Sequence, residues 1–263
     1  MSDTDSSQPQ IIVEGDSDTD SWVGERVEAD DPGPFLSLPQ LDPELIKSYY
    51  TAYIGLSNGS GSRRSLPPEL VLLICRLAGF EVWRAKKSPR GRRKIYSSSN
   101  IVWSHVWFQT EPFTKEMLGG SRSVQLVTMS RHQGWVGDRD AGSWSWFELQ
   151  VARPTAEGND HAEAKLNPDG DKISWRCLEH PVDEETAQAQ KDFAEHKGSV
   201  FGPDHELWTQ IEEGDVLQVV MKTQFGGWSN TASDGVLRIS TWWEPSVEMM
   251  DLMGKNTSNT QSE

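Results

Sequence analysis

Two passages of this chain set an indole beside carboxylates, amides and a guanidinium. Ser130-Arg131-His132-Gln133-Gly134-Trp135 leads into Asp138-Arg139-Asp140, and Thr223-Gln224-Phe225-Gly226-Gly227-Trp228 leads into Ser229-Asn230. Planar hydrogen-bonding groups next to a large ring suit a sugar, whose hydroxyls take polar partners while its C–H face stacks on the aromatic. Arg131, Gln133, Trp135, Asp138, Gln224, Trp228 and Asn230 are therefore the candidate ligand-binding residues, in loops of the kind that line concave, preformed sites. A purely structural role competes with this one. Tryptophans near hairpin ends pack over the open ends of a sandwich, and Arg131 with Asp138 would make an exposed ion pair contributing under about 1 kcal/mol.

Patterns for catalysis or metal binding are incomplete. Gly55-Leu56-Ser57-Asn58-Gly59 fits the nucleophile elbow of hydrolases, but Ser60-Gly61-Ser62-Arg63-Arg64 follows it, a linker where the mechanism needs a strand-to-helix turn. His205-Glu206 lacks the second histidine of a zinc-protease helix. Asn167, Asp169 and Asp171 start like a calcium loop without its bidentate Glu, and a Pro-Asp-Gly turn accounts for them. Cys75 and Cys177 stand outside any metal or redox spacing. The sequence names no catalytic residue, no metal ligand and no cofactor. An enzyme reading would rest on His105, Glu148 or Asp138 as acid and base groups in one cleft; a binding protein is the favoured reading.

The elements that must position the two loops follow from period. Val124-Gln125-Leu126-Val127 precedes Gln133-Gly134-Trp135 just as Leu217-Gln218-Val219-Val220 precedes Gly226-Gly227-Trp228, and each copy feeds a further strand-like run, Trp144 to Val151 and Val236 to Trp243. Alternation sets Phe147, Leu149 and Val151 opposite Trp144, Trp146, Glu148 and Gln150. It sets Trp103, His105 and Trp107 opposite Val102, Val106 and Phe108, and Leu237 and Ile239 opposite Val236, Arg238 and Trp242. Such two-faced strands predict a mainly β chain, an antiparallel β-sandwich of jelly-roll-like form over residues 95–246. Residues 153–202, acidic and rich in Ala, Glu and Gln, read as a surface insertion holding one strand-like run, Ile173 to Leu178, and an exposed helix around Glu184 to His196. A short helix with Leu207, Trp208 and Ile211 on one side follows it.

Ahead of the sandwich, residues 43–94 read as a helical segment with a basic loop. Leu45, Ile46, Tyr49, Tyr50 and Tyr53 have helical spacing over Pro43 to Leu56. Ser65-Leu66-Pro67-Pro68-Glu69 opens a second helix with a stripe of Leu70, Ile74 and Leu77 that must bury against something, and Gly79 stops it. Arg84 to Lys94 carries seven bases and reads as a solvated loop, with a nuclear import signal or an acidic-partner patch as the functional alternative.

Charge is distributed unevenly. Twelve acidic residues face Arg26 alone up to Leu45, whereas the whole chain carries −15. Residues 1–42 are expected to be a disordered acidic tail and residues 247–263 a second disordered tail, because they hold too little apolar surface to offset ordering. The overall field does not attract polyanions, so nucleic acid is not an expected partner. No apolar run follows Met1 and none approaches a membrane span, so the expectation is no membrane and an intracellular location, cytoplasmic or nuclear, not secreted.

Leu66-Pro67-Pro68-Glu69-Leu70-Val71-Leu72-Leu73-Ile74 resembles the opening helix of an F-box, over about fifteen residues, before the basic run departs from that pattern. The order of Trp-flanked strands and late Gly-Asp turns over about Ile95 to Pro245 resembles the galactose-binding-like β jelly rolls, including those joined to F-boxes. It also resembles a fungal sequence type that joins the Leu-Pro-Pro-Glu-Leu helix to a Gln-Gly-Trp, Trp-Ser-Trp-Phe-Glu-Leu module. The resemblance implies a non-catalytic binding module for a glycan or protein ligand, or a substrate receptor that meets a ubiquitin-ligase adaptor through the helix. It transfers no sugar site residue by residue.

Overall fold

The computed structural model describes residues 34–36, 42–134, 136, 140, 142–155, 158–182 and 192–251, with 158–161 as backbone. The chain divides into two compact units. One holds residues 85–119 and 123–238 together with the amino-terminal segment, and the other holds Leu38–Arg84, Gly120–Arg122 and the chain from Ile239. Each is an assembly with its own core.

The larger unit is an antiparallel β-sandwich. Ten strands are described: β1 Glu81–Lys87, β2 Arg93–Tyr96, β3 Trp103–Gln109, β4 Ser121–Arg131, β5 Ser145–Thr155, β6 Gly158–Ala164, β7 Ser174–Glu179, β8 Ala194–Lys197, β9 Val216–Thr223 and β10 Ser229–Trp242. One sheet runs β1-β10-β4-β8 with β2 on β10, and the other runs β3-β9-β5-β6 with β7 on β5. The alternation over 144–151 is realised as β5, whose Phe147, Leu149 and Val151 are buried against Met221, Val219 and Leu217 of β9. Gly235 of β10 is required by packing: a Cβ there would meet the Trp107 ring of β3 at 2.4 Å.

Three expectations change. The basic run is no loop, because β1 and β2 take up most of it and leave a short turn. Residues 153–202 are not an insertion outside the sheets: they supply β6, β7 and β8, and the carboxyl end of the expected helix is strand β8. Polar composition hid these strands because they pair at sheet edges or beside β5, where one face stays wet. In β3 the alternation holds for Trp103 and His105, but a bulge between Val106 and Phe108 turns both Trp107 and Phe108 inward and leaves Val106 exposed.

The second unit is built on α1 (Pro43–Asn58) and α2 (Pro68–Leu77). Asp42 caps α1 by accepting from the Glu44 amide at 3.0 Å, with Pro43 at the first helical position. Tyr49, Tyr50 and Tyr53 bury one face of α1 around Trp243, whose ring meets all three edge-on, while Phe80 stacks on Tyr49 at 4.1 Å. α2 contributes the buried Val71 and Cys75 to this cluster, with Leu72 partly buried against it. The predicted stripe is the wrong face: Leu70, Ile74 and Leu77 are 48%, 40% and 81% exposed, and of the residues that widen it Leu73 is 51% exposed while Val71 is buried. Gly79, at φ +74°, ends the helix as expected. Ser57 lies within the last turn of α1, so the Gly55–Gly59 pattern forms no elbow.

Three short helical stretches complete the described elements: α3 (Lys115–Gly120), α4 (Leu207–Gln210), where Leu207 and Ile211 are buried as the spacing requires, and residues 247–251, which were expected to open a disordered tail and instead pack Met250 on the tyrosine cluster. Among the described residues no helix is long and apolar enough to cross a membrane. The tail expectations for residues 1–33, 37–41 and 252–263 lie outside the described residues; within the expected amino-terminal tail, Pro34 and Leu36 are hydrogen-bonded to Ser233 and Asp234 and Asp42 caps α1.

Candidate site at the polar end of the sandwich interior

The inward positions of each central strand change character along their length. On β4 the series is Val124, Leu126, Thr128, Ser130 and then His132; on β9 it is Leu217, Val219, Met221, Thr223; on β5, running the other way, it is Val151, Leu149, Phe147, Ser145. All are buried. The sandwich therefore has an aliphatic end and a polar end, and the polar end is the one that carries both Gly-Trp loops.

Hydrogen bonds cross the interior there. His180, which follows β7, lies with Nδ1 2.8 Å from Ser145 Oγ and Nε2 3.0 Å from Ser130 Oγ, and Ser130 Oγ lies 2.7 Å from Thr128 Oγ1. Nδ1 is also 3.2 Å from the Ser145 carbonyl, which can only accept, so Nδ1 carries the proton and Nε2 accepts from Ser130. His196 Nε2 donates to the Ser130 carbonyl at 3.2 Å. The His180 ring meets those of His132 and His196 edge-on. Burial, reinforced by the charges His196 and His132 would carry, pushes the His180 pKa well below the usual histidine value, and burial lowers His196 as well. Ser130 and Ser145 are fully buried, and the relay is closed on itself rather than a nucleophile facing substrate.

Asn230, at the start of β10, donates from Nδ2 to the carbonyls of Trp146 at 2.8 Å and Lys222 at 3.4 Å. Two acceptors fix the amide orientation, so its Oδ1 faces away from them into the interior. That atom, Thr223 Oγ1 and Trp103 Nε1 are buried and have no hydrogen-bond partner among the described residues. Register sets Thr223 beside Trp103 on one side and Ser145 on the other, one residue beyond the Lys222–Trp146 pair whose carbonyls accept from Asn230. They offer one acceptor, one donor and one hydroxyl able to do either.

The candidate residues read from the sequence divide accordingly. Trp228 is buried against His132, at 5.9 Å between ring centroids, and its backbone is tied to Ser97. Gln224 donates to the Asn100 carbonyl at 2.8 Å, and Gln133 Oε1 accepts from the Ser229 amide at 3.2 Å. Arg131 lies over the Phe193 ring at 5.0 Å. These groups hold the β4–β5 and β9–β10 connections in place, and Asn230 joins them to the interior. Trp135 and Asp138 lie outside the described residues. Thr223, Trp103, Ser130, Ser145 and His180 were missed; continuing the apolar alternation of β4 and β9 past its last aliphatic residue would have found the Ser and Thr positions.

Register separates the acid and base groups named for an enzyme. His105 pairs with Met221, level with Phe147 on the inner face, whereas Glu148 pairs with Val220 on the outer face. There Glu148 accepts from Lys222 Nζ at 2.8 Å, Ser174 Oγ at 2.7 Å and Trp146 Nε1 at 2.8 Å. Burial acts to raise its carboxyl, but the Lys222 charge and these hydrogen bonds outweigh it and hold the group below the usual range. Asn167 Oδ1 accepts from the Asp169 and Asp171 amides at 3.0 and 2.8 Å, which accounts for that acidic turn. Among the described residues no group of three or more His, Cys, Asp or Glu is placed to hold a metal ion.

No family model matches the chain. A stretch of 78 residues is 38% identical to geranylgeranylglyceryl phosphate synthase of Ignicoccus hospitalis, covering 27% of this chain and 28% of that protein. The chain thus spans under a third of the curated relative it matches, and the likeness is to a part of that synthase.

Proposed function

We propose that the chain is a non-catalytic intracellular binding module that takes the hydroxylated end of a glycan at the Gly-Trp end of its sandwich. What supports this reading is the partnerless buried trio Thr223 Oγ1, Asn230 Oδ1 and Trp103 Nε1. Each unmet group costs about 1–3 kcal/mol, and neighbouring hydroxyls of a sugar satisfy donors and acceptors of this mix. Arg131 and Gln133, where the chain leaves β4, would stand at the rim through which such a ligand enters.

The test is a titration of the full chain with galactose, glucose, mannose and N-acetylglucosamine, followed by a glycan array. Thr223→Val keeps the side-chain shape and removes the hydroxyl, so it should cut affinity at least about tenfold while leaving the melting temperature unchanged or higher. Absence of saturable binding to every glycan, or a variant that binds like the parent, sinks the reading; a buried water alone predicts the former.

A second reading is favoured by a separate observation. The exposed Leu70, Leu73, Ile74 and Leu77 form an i, i+3, i+4, i+7 stripe, the pattern of a helix that docks in a partner's groove. As a ubiquitin-ligase receptor, the chain would co-purify with the cullin-adaptor subunit, and Leu73→Asp with Leu77→Asp would abolish that without unfolding a helix anchored by Val71 and Cys75.

A further inference from the structure

The strands β1 and β2 carry cations that the fold does not use. Lys87 at the end of β1, Arg90 in the turn and Lys94 on β2 are exposed, and no described carboxylate pairs with any of them, whereas their neighbour Lys86 is held by Glu111 at 2.7 Å. The amino-terminal segment enters the described structure at the same place. Ser233 Oγ donates to the Pro34 carbonyl at 2.9 Å, and the Leu36 amide donates to Asp234 Oδ2 at 2.8 Å. The other oxygen of Asp234 accepts from Ser88 Oγ at 3.5 Å, and the Ser88 amide donates to the Gly235 carbonyl at 2.8 Å. Ser88 follows Lys87 directly and opens the basic turn.

Before Pro34 the chain holds ten acidic residues against Arg26 alone. Asp31 and Asp30 stand three and four residues from the anchor, a reach of roughly 10–14 Å when extended. Asp20, Asp18 and Asp16 follow fourteen to eighteen residues from it, a reach of at most roughly 46–65 Å. We infer that the acidic amino-terminal segment docks on Lys87, Arg90 and Lys94 and occupies the basic turn against outside polyanions. Tethering sets the effective concentration of the segment at about the millimolar level, enough for a multi-charge contact that salt weakens.

The experiment uses the full chain, labelled for amide NMR, with Asp16, Asp18, Asp20, Asp30 and Asp31 changed to Asn. Neutralisation should shift the amides of residues 86–94 and few others, and raising salt from about 50 mM to about 500 mM should reproduce the shifts. In a chain carrying Lys87→Glu, Arg90→Glu and Lys94→Glu, the same neutralisation should leave those amides unmoved. A heparin oligosaccharide should bind the neutralised chain at least about fivefold more tightly than the parent. If neutralisation leaves residues 86–94 unmoved, or if heparin binds both chains equally, the turn is open and the inference is overturned.

Discussion

The two ends of the sandwich interior are made by the same strands and held together by different forces. At one end Val151, Leu149, Leu217, Val219, Val124 and Leu126 exclude water; at the other His180 with Ser145 and Ser130, and Asn230 with the Trp146 carbonyl, hydrogen-bond across the gap between sheets, with Thr128 and Thr223 buried among them. Apolar contacts are non-directional and gain with area, so the first end needs only volume and pattern. A buried polar network stabilises only when its members are satisfied, and Thr223 Oγ1, Asn230 Oδ1 and Trp103 Nε1 have no partner among the described residues, the observation on which the proposed site rests.

The contrast is sharpest under truncation. Leu149→Ala should cost about 3–4 kcal/mol, a fall of several degrees in melting temperature, because it removes transfer free energy and opens a cavity. Thr223→Val, of similar burial, should cost nothing in the same calorimetric scan. Equal losses at both ends would show that the polar end is ordinary core. His180→Ala comes next: it strips Ser130 and Ser145 of their shared partner, and denaturant unfolding should register about 2–3 kcal/mol.

Outside the aliphatic end, Asp215 at the start of β9 accepts from Arg153 Nε at 2.7 Å, Lys165 Nζ at 3.0 Å and the Glu212 amide at 2.8 Å. Asp215→Asn turns one acceptor into a donor facing donors. Its expected cost is about 2 kcal/mol, reduced by screening because Arg153 is half exposed. The polar end also carries a pH dependence. His180 and His196 have folded pKa values below the 6.5 of the unfolded chain, so the unfolded state binds more protons as pH falls through 6.5. Stability is full above that value, and below it falls by about 1.4 kcal/mol per pH unit for each such histidine until its folded pKa is reached. Melting curves between pH 7.5 and 5 should show this loss, and His180→Gln should shallow it; an unchanged slope would remove His180 from the account.

Much of the fold is legible in local pattern. Period two over 144–151 specifies β5 and its core face, helical spacing of tyrosines specifies α1, and Gly79 marks the stop of α2. The candidate site was legible only in part. The Gly-Trp phrases stand at the polar end of the sandwich, yet Trp228 and Gln224 hold the connections, and the buried atoms without partners lie on β3, β9 and β10. The stripe on α2 was read from helical spacing, whereas burial depends on which face meets the tyrosines of α1 and Trp243, far along the chain.

By itself the sequence determined the periods, the turns and the segregation of charge, because each depends on residues a few positions apart. The tertiary structure alone decided which polar side chains lie inside. His180 meets Ser130 across 50 residues and Asn230 meets the Trp146 carbonyl across 84, and hydrogen bonds this directional exist only once both sheets have brought their donors and acceptors face to face.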